Sequence, residues 1–232
     1  MKQPNLIKAK FLKRYKRFLV DVLLENNEIT TVHCANSGSM MGLLNEGNTV
    51  YISPATNPLN KLKYKLELID DGSSLVGVNT HLANKLAHEA FAEKLITPLE
   101  NYDIIKPEVK HLNSRFDFFL SNNLGENCFV EIKSITLKRK QNIAEFPDSP
   151  TVRGSKHLTD LIEIVKNGGR AINLYIIQRN DANYFKIAKS IDPKYYENFM
   201  LAKHSGVEFL CYSCDINLNT IKINQPIEII YE

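Results

Sequence analysis

The hydrophobic period of this chain changes once, near Thr80, and that limits it to a β unit followed by an α/β unit. Before that point residues 18–24, 30–34, 49–53, 61–69 and 75–78 read as five short strands separated by Asn, Gly, Asp or Ser turns. The fourth is the clearest. In KLKYKLELI, Leu62, Tyr64, Leu66 and Leu68 take one face while Lys61, Lys63, Lys65 and Glu67 take the other, which predicts one core face and one basic strip. Five such strands closing on themselves predict a small, five-stranded OB-like β-barrel.

Beyond Thr80 the pattern turns helical and then mixed. Thr80 is expected to cap a helix over 81–95, with Leu82, Leu86, Ala90 and Leu95 inward and Pro98 ending it. A strand over 108–112, a hairpin around 117 and 131, and a polar loop through Phe146, Pro147 and Asp148 follow. Leu158, Leu161, Ile162 and Val165 mark a second helix, stopped by Asn167, Gly168 and Gly169 before a buried strand at 171–177. A third helix begins near Pro193, Gly206 precedes a strand at 207–212, and 220–231 reads as one or two edge strands. The expected architecture is therefore two domains, 1–80 and 81–232, the second a mixed sheet flanked by helices.

Chemistry concentrates in the hairpin. Asp117 lies in SRFDFFL, Glu131, Ile132 and Lys133 lie in CFVEIKS, and 121–127 between them is turn sequence. A period of two puts Glu131 and Lys133 on one face, and antiparallel pairing would lay Asp117 across from them. Two carboxylates beside an ammonium suit Mg²⁺ or Mn²⁺, hard cations that prefer oxygen, and the set is what metal-dependent phosphodiester cleavage needs. Glu131 and Asp117 would hold the cation; Lys133 would orient the attacking water or offset charge on the phosphate in the transition state. An exposed, salt-bridged strand is the plain alternative. The chain is 24% charged, and the same triplet recurs at Glu108, Val109 and Lys110 behind Pro107, with no acid at hairpin distance.

Positive charge is gathered at the front: residues 1–65 hold ten Lys or Arg against four Asp or Glu, although the whole chain nets only +3. Lys8, Lys10, Lys13, Arg14, Lys16 and Arg17 are interleaved with Phe11, Tyr15 and Phe18, a mixture of cations for phosphates and rings for stacking. Equally, those rings could anchor a first strand. Candidate DNA contacts are Arg14, Lys16 and Arg17, the strip lysines Lys61 and Lys63, and Arg153, Lys156 and His157 at the start of the second helix. For the last three a solvated first turn competes. Asn36, Ser37, Gly38 and Ser39 read as a tight barrel turn, or as backbone amides offered to a phosphate.

At 232 residues and 44% hydrophobic content a normal core is available. No signal segment and no apolar run approaching the roughly 18 residues of a spanning helix appears, so a cytoplasmic protein of bacterial type with no membrane partner is expected. Cys211 and Cys214 have motif spacing but lack a second pair, and read as core thiols.

Seven ordered fragments together resemble the sugar fermentation stimulation protein (SfsA) family: RYKRFLVDV from Arg14, HCANSGSM from His33, VNT from Val78, SRFDFFL, VEIKSITL, FPDSPTVRGSKHL from Phe146 and IDPKY from Ile191. The resemblance implies an OB-like amino-terminal domain, a restriction-endonuclease-like second domain of the PD-(D/E)xK type, DNA binding, and a link to the regulation of sugar (maltose) metabolism. It maps Asp117, Glu131 and Lys133 onto the nuclease motif and Glu89 onto a further acidic, metal-binding position. The chain departs from the family pattern at Ala35 and Ser37, where proline and threonine are common, and lacks the motif's leading proline, having Arg115 and Phe116 before Asp117. Three functions follow as expectations: a Mg²⁺-dependent DNA endonuclease, a DNA-binding regulator that turns over nothing, and a nucleotide or sugar-phosphate sensor. Paired sites acting on two strands would make a homodimer.

Overall fold

Alternation of Ile7, Ala9 and Phe11 with Lys8 and Lys10 makes a strand of the basic amino-terminal segment, with Ala9 and Phe11 buried and the lysines exposed. The computed structural model describes residues 1–57, 59–111 and 114–231. In it β1 (Ile7–Tyr15), β2 (Leu19–Leu24), β3 (Ile29–His33), β4 (Thr49–Pro54) and β5 (Tyr64–Asp70) pair in the order β3-β2-β1-β4-β5. A parallel bridge between His33 and Lys65 joins β3 to β5 and closes the barrel. Phe11, Val20, Val22, Val32, Val50, Ile52, Leu66 and Ile69 fill it. The expectation of five strands is met with a different membership. The barrel includes β1, and the segment at 75–78 is β6 (Leu75–Gly77), added outside the closure onto the end of β5.

The basic strip on β5 does not form as the alternation predicts. The strand begins at Tyr64, leaving Lys61 and Lys63 exposed on the preceding loop. Tyr51 pairs with Leu68 and Ile52 with Leu66, so Glu67 is an extra, bulged residue, and a bulge breaks the period of two. Leu66 consequently enters the barrel core while Leu68 joins the core beneath the second domain. Glu67 itself is buried and accepts hydrogen bonds from Ser53 Oγ (2.6 Å) and Asn79 Nδ2 (2.8 Å), which make its burial tolerable.

The second unit runs α1 (Leu82–Ala92), β7 (Ile104–His111), β8 (Ser114–Ser121), β9 (Asn127–Ile135), β10 (Leu137–Lys140), β11 (Asn142–Phe146), α2 (Val152–Lys166), β12 (Arg170–Ile177), β13 (Ala182–Ile187), α3 (Pro193–His204), β14 (Glu208–Ile216), β15 (Ile221–Pro226) and β16 (Glu228–Ile230). Its main sheet has the order β15-β14-β12-β9-β8-β7, with β9, β12 and β14 parallel at the centre. A four-stranded sheet, β10-β11-β13-β16, lies beside it. Leu82, Leu86 and Ala90 of α1 pack with Val130, Ile132 and Leu174 of the main sheet, and Leu158 and Leu161 of α2 with Phe129 and Tyr175. This mixed sheet between helices is a restriction-endonuclease-like arrangement behind an OB barrel.

Several local expectations are corrected. Thr80 does not cap α1: its hydroxyl donates to the Ala35 carbonyl, and the Asn79 side chain accepts the His81 amide instead. Leu95 lies beyond the helix and is 41% exposed, while Ala83, Ala87 and Phe91 complete the inward face. The polar loop expected through Phe146 is preceded by the unforeseen pair β10 and β11, and β13 was likewise not foreseen. The strand expected at 108–112 starts at Ile104 and ends at His111; Leu112 is outside the described residues. The two units are latched by Arg179, 1% exposed, which reaches Asp71 on the barrel side, Asp181, and the Thr136 carbonyl.

Candidate functional site

Side chains from both units meet in a cleft of about 310 Å³. β8 supplies Asp117, β9 supplies Glu131, Ile132 and Lys133, α1 supplies Asn84, α2 supplies Arg153, and Asn36, Ser37 and Gly38 form the barrel's wall. The sheet explains the grouping. Val130 and Ile132 point into the α1 core, so Glu131 and Lys133 point to the α2 side, where His157 stands. The β8–β9 ladder stops at Phe118 opposite Val130. At the next step the Asp117 carboxylate takes over, with Oδ2 accepting the Ile132 amide at 2.8 Å and Oδ1 accepting Asn84 Nδ2 at 2.8 Å.

Glu131 is 3% exposed and its two oxygens are treated differently. Oε1 receives Lys133 Nζ at 2.6 Å and a short contact from His157 Nδ1. Arg153 Nε approaches His157 Nε2 at 3.4 Å, so an imidazole protonated on Nδ1, donating to Glu131 and accepting from Arg153, satisfies both neighbours. Oε2, by contrast, is buried with no hydrogen-bond partner. Burial alone would push the Glu131 pKa up, but Lys133 and His157 outweigh it and hold the carboxyl below the usual range. Asp117 goes the other way: burial, reinforced by the Glu131 charge, raises it. Two carboxylates that line one cleft, one of them with a bare oxygen and the other held by an amide, are a donor set that a hard divalent cation would complete. No group of three or more His, Cys, Asp or Glu with metal-holding geometry occurs among the described residues, so such an ion would keep waters or substrate oxygens in its shell.

The predicted contacts divide sharply. Asp117, Glu131, Lys133, His157 and Arg153 come together. Glu89 does not join them: its carboxylate pairs with the amino-terminal ammonium of Met1 at 2.6 Å, and the α1 residue that reaches Asp117 is Asn84. Five residues along a helix rotate a side chain by about 140°, so 84 and 89 cannot share a face. Lys156 is likewise turned from the cleft, donating to Ser114 and Asp160, since one residue of helix sets it about 100° around the axis from His157. Arg14 is not free for a phosphate. Its guanidinium donates to the carbonyls of Asn36 (2.7 Å), Gly38 (2.8 Å), Ser39 (3.3 Å) and Arg17 (2.7 Å), clamping the turn that walls the cleft. Lys16 and Arg17 stay exposed beside a second, open hollow bordered by Ser37 and Gly38. Lys61 lines a third cavity, and Lys63 is exposed on its loop.

Asn84 and Asp148 are the site residues that sequence reasoning missed. Asp148 Oδ2 accepts the Met40 amide at 3.0 Å and its carbonyl accepts Ser39 Oγ at 2.7 Å, locking the barrel turn over the cleft. A Cβ on Gly38 would stand 2.2 Å from both Asp148 carboxylate oxygens, so the turn approaches this closely only because residue 38 is glycine.

Residues 12–78 match the SfsA N-terminal OB domain, and residues 81–220 match the sugar fermentation stimulation protein RE domain. The chain belongs to the sugar fermentation stimulation protein family. It is 51% identical over 226 residues to a homolog from Pelagibacter ubique, covering 97% of each chain, and 44% identical over 229 residues to one from Pseudoalteromonas atlantica, again covering 97% of each. Among solved structures it is similar to Pyrococcus furiosus SfsA in complex with Ca²⁺, with a TM-score of 0.91, 28% identity, and coverage of 99% of this chain and 98% of that one. Family membership thus extends over both units and includes the turn, the β8–β9 hairpin and α2 that build the cleft. No helix among the described residues is long and apolar enough to cross a membrane.

Proposed function

We propose that this family member binds DNA and hydrolyses its phosphodiester bonds at the Asp117–Glu131–Lys133 cleft with the help of a divalent cation, Mg²⁺ or Mn²⁺. The observation that carries the proposal is the bare Glu131 Oε2, buried beside Asp117 while Oε1 is held by Lys133 and His157. A buried carboxylate oxygen left without a donor costs stability unless something supplies positive charge, and a cation there would also relieve the raised pKa of Asp117. The Ca²⁺ carried by the Pyrococcus relative supports a hard, oxygen-seeking ion. A site offering only two carboxylates matches Mg²⁺, which keeps several waters and shares substrate phosphate oxygens.

Such an ion, when bound, would polarise the scissile phosphate and lower the pKa of a coordinated water. The chain's own groups do the rest. Asn84 and the Ile132 amide fix the Asp117 carboxylate, and His157 fixes Glu131. Lys133, held at 2.6 Å from Glu131, keeps an ammonium at the wall where negative charge develops on the phosphate oxygens. Arg153 lines the same wall and offers further guanidinium donors to a phosphate. The walls from two units leave the reacting phosphate half enclosed, with the barrel turn on one side and α2 on the other.

The test joins a binding and a cleavage measurement. Calorimetric titration of Mg²⁺ and Mn²⁺ should show a site in the parent protein that Glu131→Ala abolishes and Lys133→Ala retains. Linear, nicked and single-stranded DNA should be cut only with metal, and by neither variant. Cleavage that persists in Glu131→Ala would refute the assignment. Metal binding without turnover of any DNA would favour the non-catalytic regulator.

A further inference from the structure

A cavity of about 540 Å³ lies beside the cleft and has no role in the proposed hydrolysis. His33, Lys61, Lys65, His81 and Lys85 line it, and no acid does. None of the three lysines has an ion-pair partner among the described residues. The acid behind the wall, Glu67, is buried and already engaged by Ser53 and Asn79. Positive charge is therefore gathered in a concave site and left unbalanced, the arrangement that focuses a field on an anion. Burial first, and then the charges of His81 and Lys65, hold the His33 imidazole below its usual range. The α1 amino terminus contributes through side chains alone, since the His81 and Leu82 amides are taken by Asn79.

The remaining wall is apolar, from Leu62, Leu82 and Ala55, with the Asn60 and Asn79 side chains between. A volume in the range of ordinary ligand sites, ~300–1,000 Å³, with cations on one part and hydrocarbon on another, suits an anion carrying a ring rather than a bare ion. The location narrows it further. Ala35, Asn79, Leu82 and Lys85 line this cavity, while their chain neighbours Asn36, Thr80, Ala83 and Asn84 line the cleft, so the two share a dividing wall.

We propose that this cavity is a nucleotide site, taking one phosphorylated nucleoside with its phosphate toward Lys65, Lys85 and the two histidines and its base against Leu62 and Leu82. The occupant is either a free nucleotide or the unpaired nucleotide of a strand whose next phosphate enters the cleft; a half-open hollow with one short apolar wall suits a single base turned out of a stack. The strand source rests on the DNA reading given above, whereas nucleotide binding itself does not.

The experiment uses the full chain with chelator present, so that cleavage plays no part. Thymidine monophosphate, inorganic phosphate and thymidine are titrated into the parent protein, a Lys65→Gln/Lys85→Gln variant, and Asp117→Asn as a control in the neighbouring cleft. The monophosphate should bind saturably and at least about tenfold more tightly than thymidine. The double lysine variant should lose about tenfold or more, with an unchanged melting temperature, and Asp117→Asn should bind as the parent does. No saturable binding, or equal binding by parent and double variant, would overturn the site. A duplex with one unpaired nucleotide is then compared with the fully paired duplex. Preference for the unpaired form, abolished in the double variant, identifies the strand as the source. Monophosphate binding without that preference identifies the free nucleotide. Cleavage can fail in the earlier assay while every one of these results stands.

Discussion

Replacing Arg14 separates a clamp from a phosphate contact. As an exposed cation in a basic segment it would be expected to touch DNA, but its guanidinium donates to four backbone carbonyls, three of them in the turn 36–39. A hydrogen bond from a charged donor is worth about 1.5–3 kcal/mol when buried. Arg14 is half-buried and the freed carbonyls lie on a loop that regains water, so Arg14→Ala should lose about 2–3 kcal/mol in total rather than the sum of four bonds. For a chain of this length that lowers the melting temperature by about 5–10 °C. Arg14→Lys keeps the charge but not the planar fork, and should recover little of the loss. The salt dependence of DNA binding completes the assay. Arg17→Ala should flatten the slope by about one unit, as expected for a lost phosphate contact, with little change in melting, whereas Arg14→Ala should melt early with its slope unchanged. An Arg14→Ala protein that melts like the parent and loses a unit of slope would refute the clamp.

The pH response of the cleft has a defined sign. Asp117 has a folded-state pKa above its unfolded value, so in metal-free protein it opposes folding increasingly as pH rises from the ordinary aspartate value through the raised one. Asp117→Asn should therefore gain stability relative to the parent as pH is raised from 4 to 7 in chelator, and added Mg²⁺ should restore the parent's advantage; parallel stability profiles would contradict this. At the latch between the units, Arg179→Met takes the guanidinium from the carboxylates of Asp71 and Asp181, leaving Asp71 its Ser73 and Ser74 hydrogen bonds and Asp181 its pair with Lys138. That should cost about 3–5 kcal/mol at neutral pH. Both acids are held below the usual carboxylate range, Asp71 by the Ser73 and Ser74 hydrogen bonds and Arg179 working against burial, Asp181 by Arg179 and Lys138 working against burial. Their pairing is thus complete above the unfolded aspartate pKa and is lost as pH falls, so the difference between parent and variant should shrink in acid, as urea melts at pH 7 and pH 3 would measure.

The sequence alone determined whatever depends on near neighbours in the chain. Period two put Glu131 beside Lys133, the 3.6-residue period placed α2 and its Asn-Gly-Gly end, and the apolar run at 171–177 marked the central strand β12. The change of period at Thr80 separated a barrel from an α/β unit for the same reason. The tertiary structure decided everything that depends on which faces are covered. Packing of the second unit against β5 buried Glu67 and split Leu66 from Leu68, which an alternating pattern cannot anticipate, because a bulge costs one residue of register and leaves no mark in composition. It turned Glu89 toward Met1 and brought Asn84 to Asp117, since helix rotation is set by the apolar face and not by the position of an acid. It also converted Arg14 from a surface cation into a clamp and drew His33, Lys65 and Lys85, far apart in sequence, around one cavity. Charge along a chain is a local property, whereas the field inside a cleft is the sum over residues that only folding brings within a few ångströms of one another.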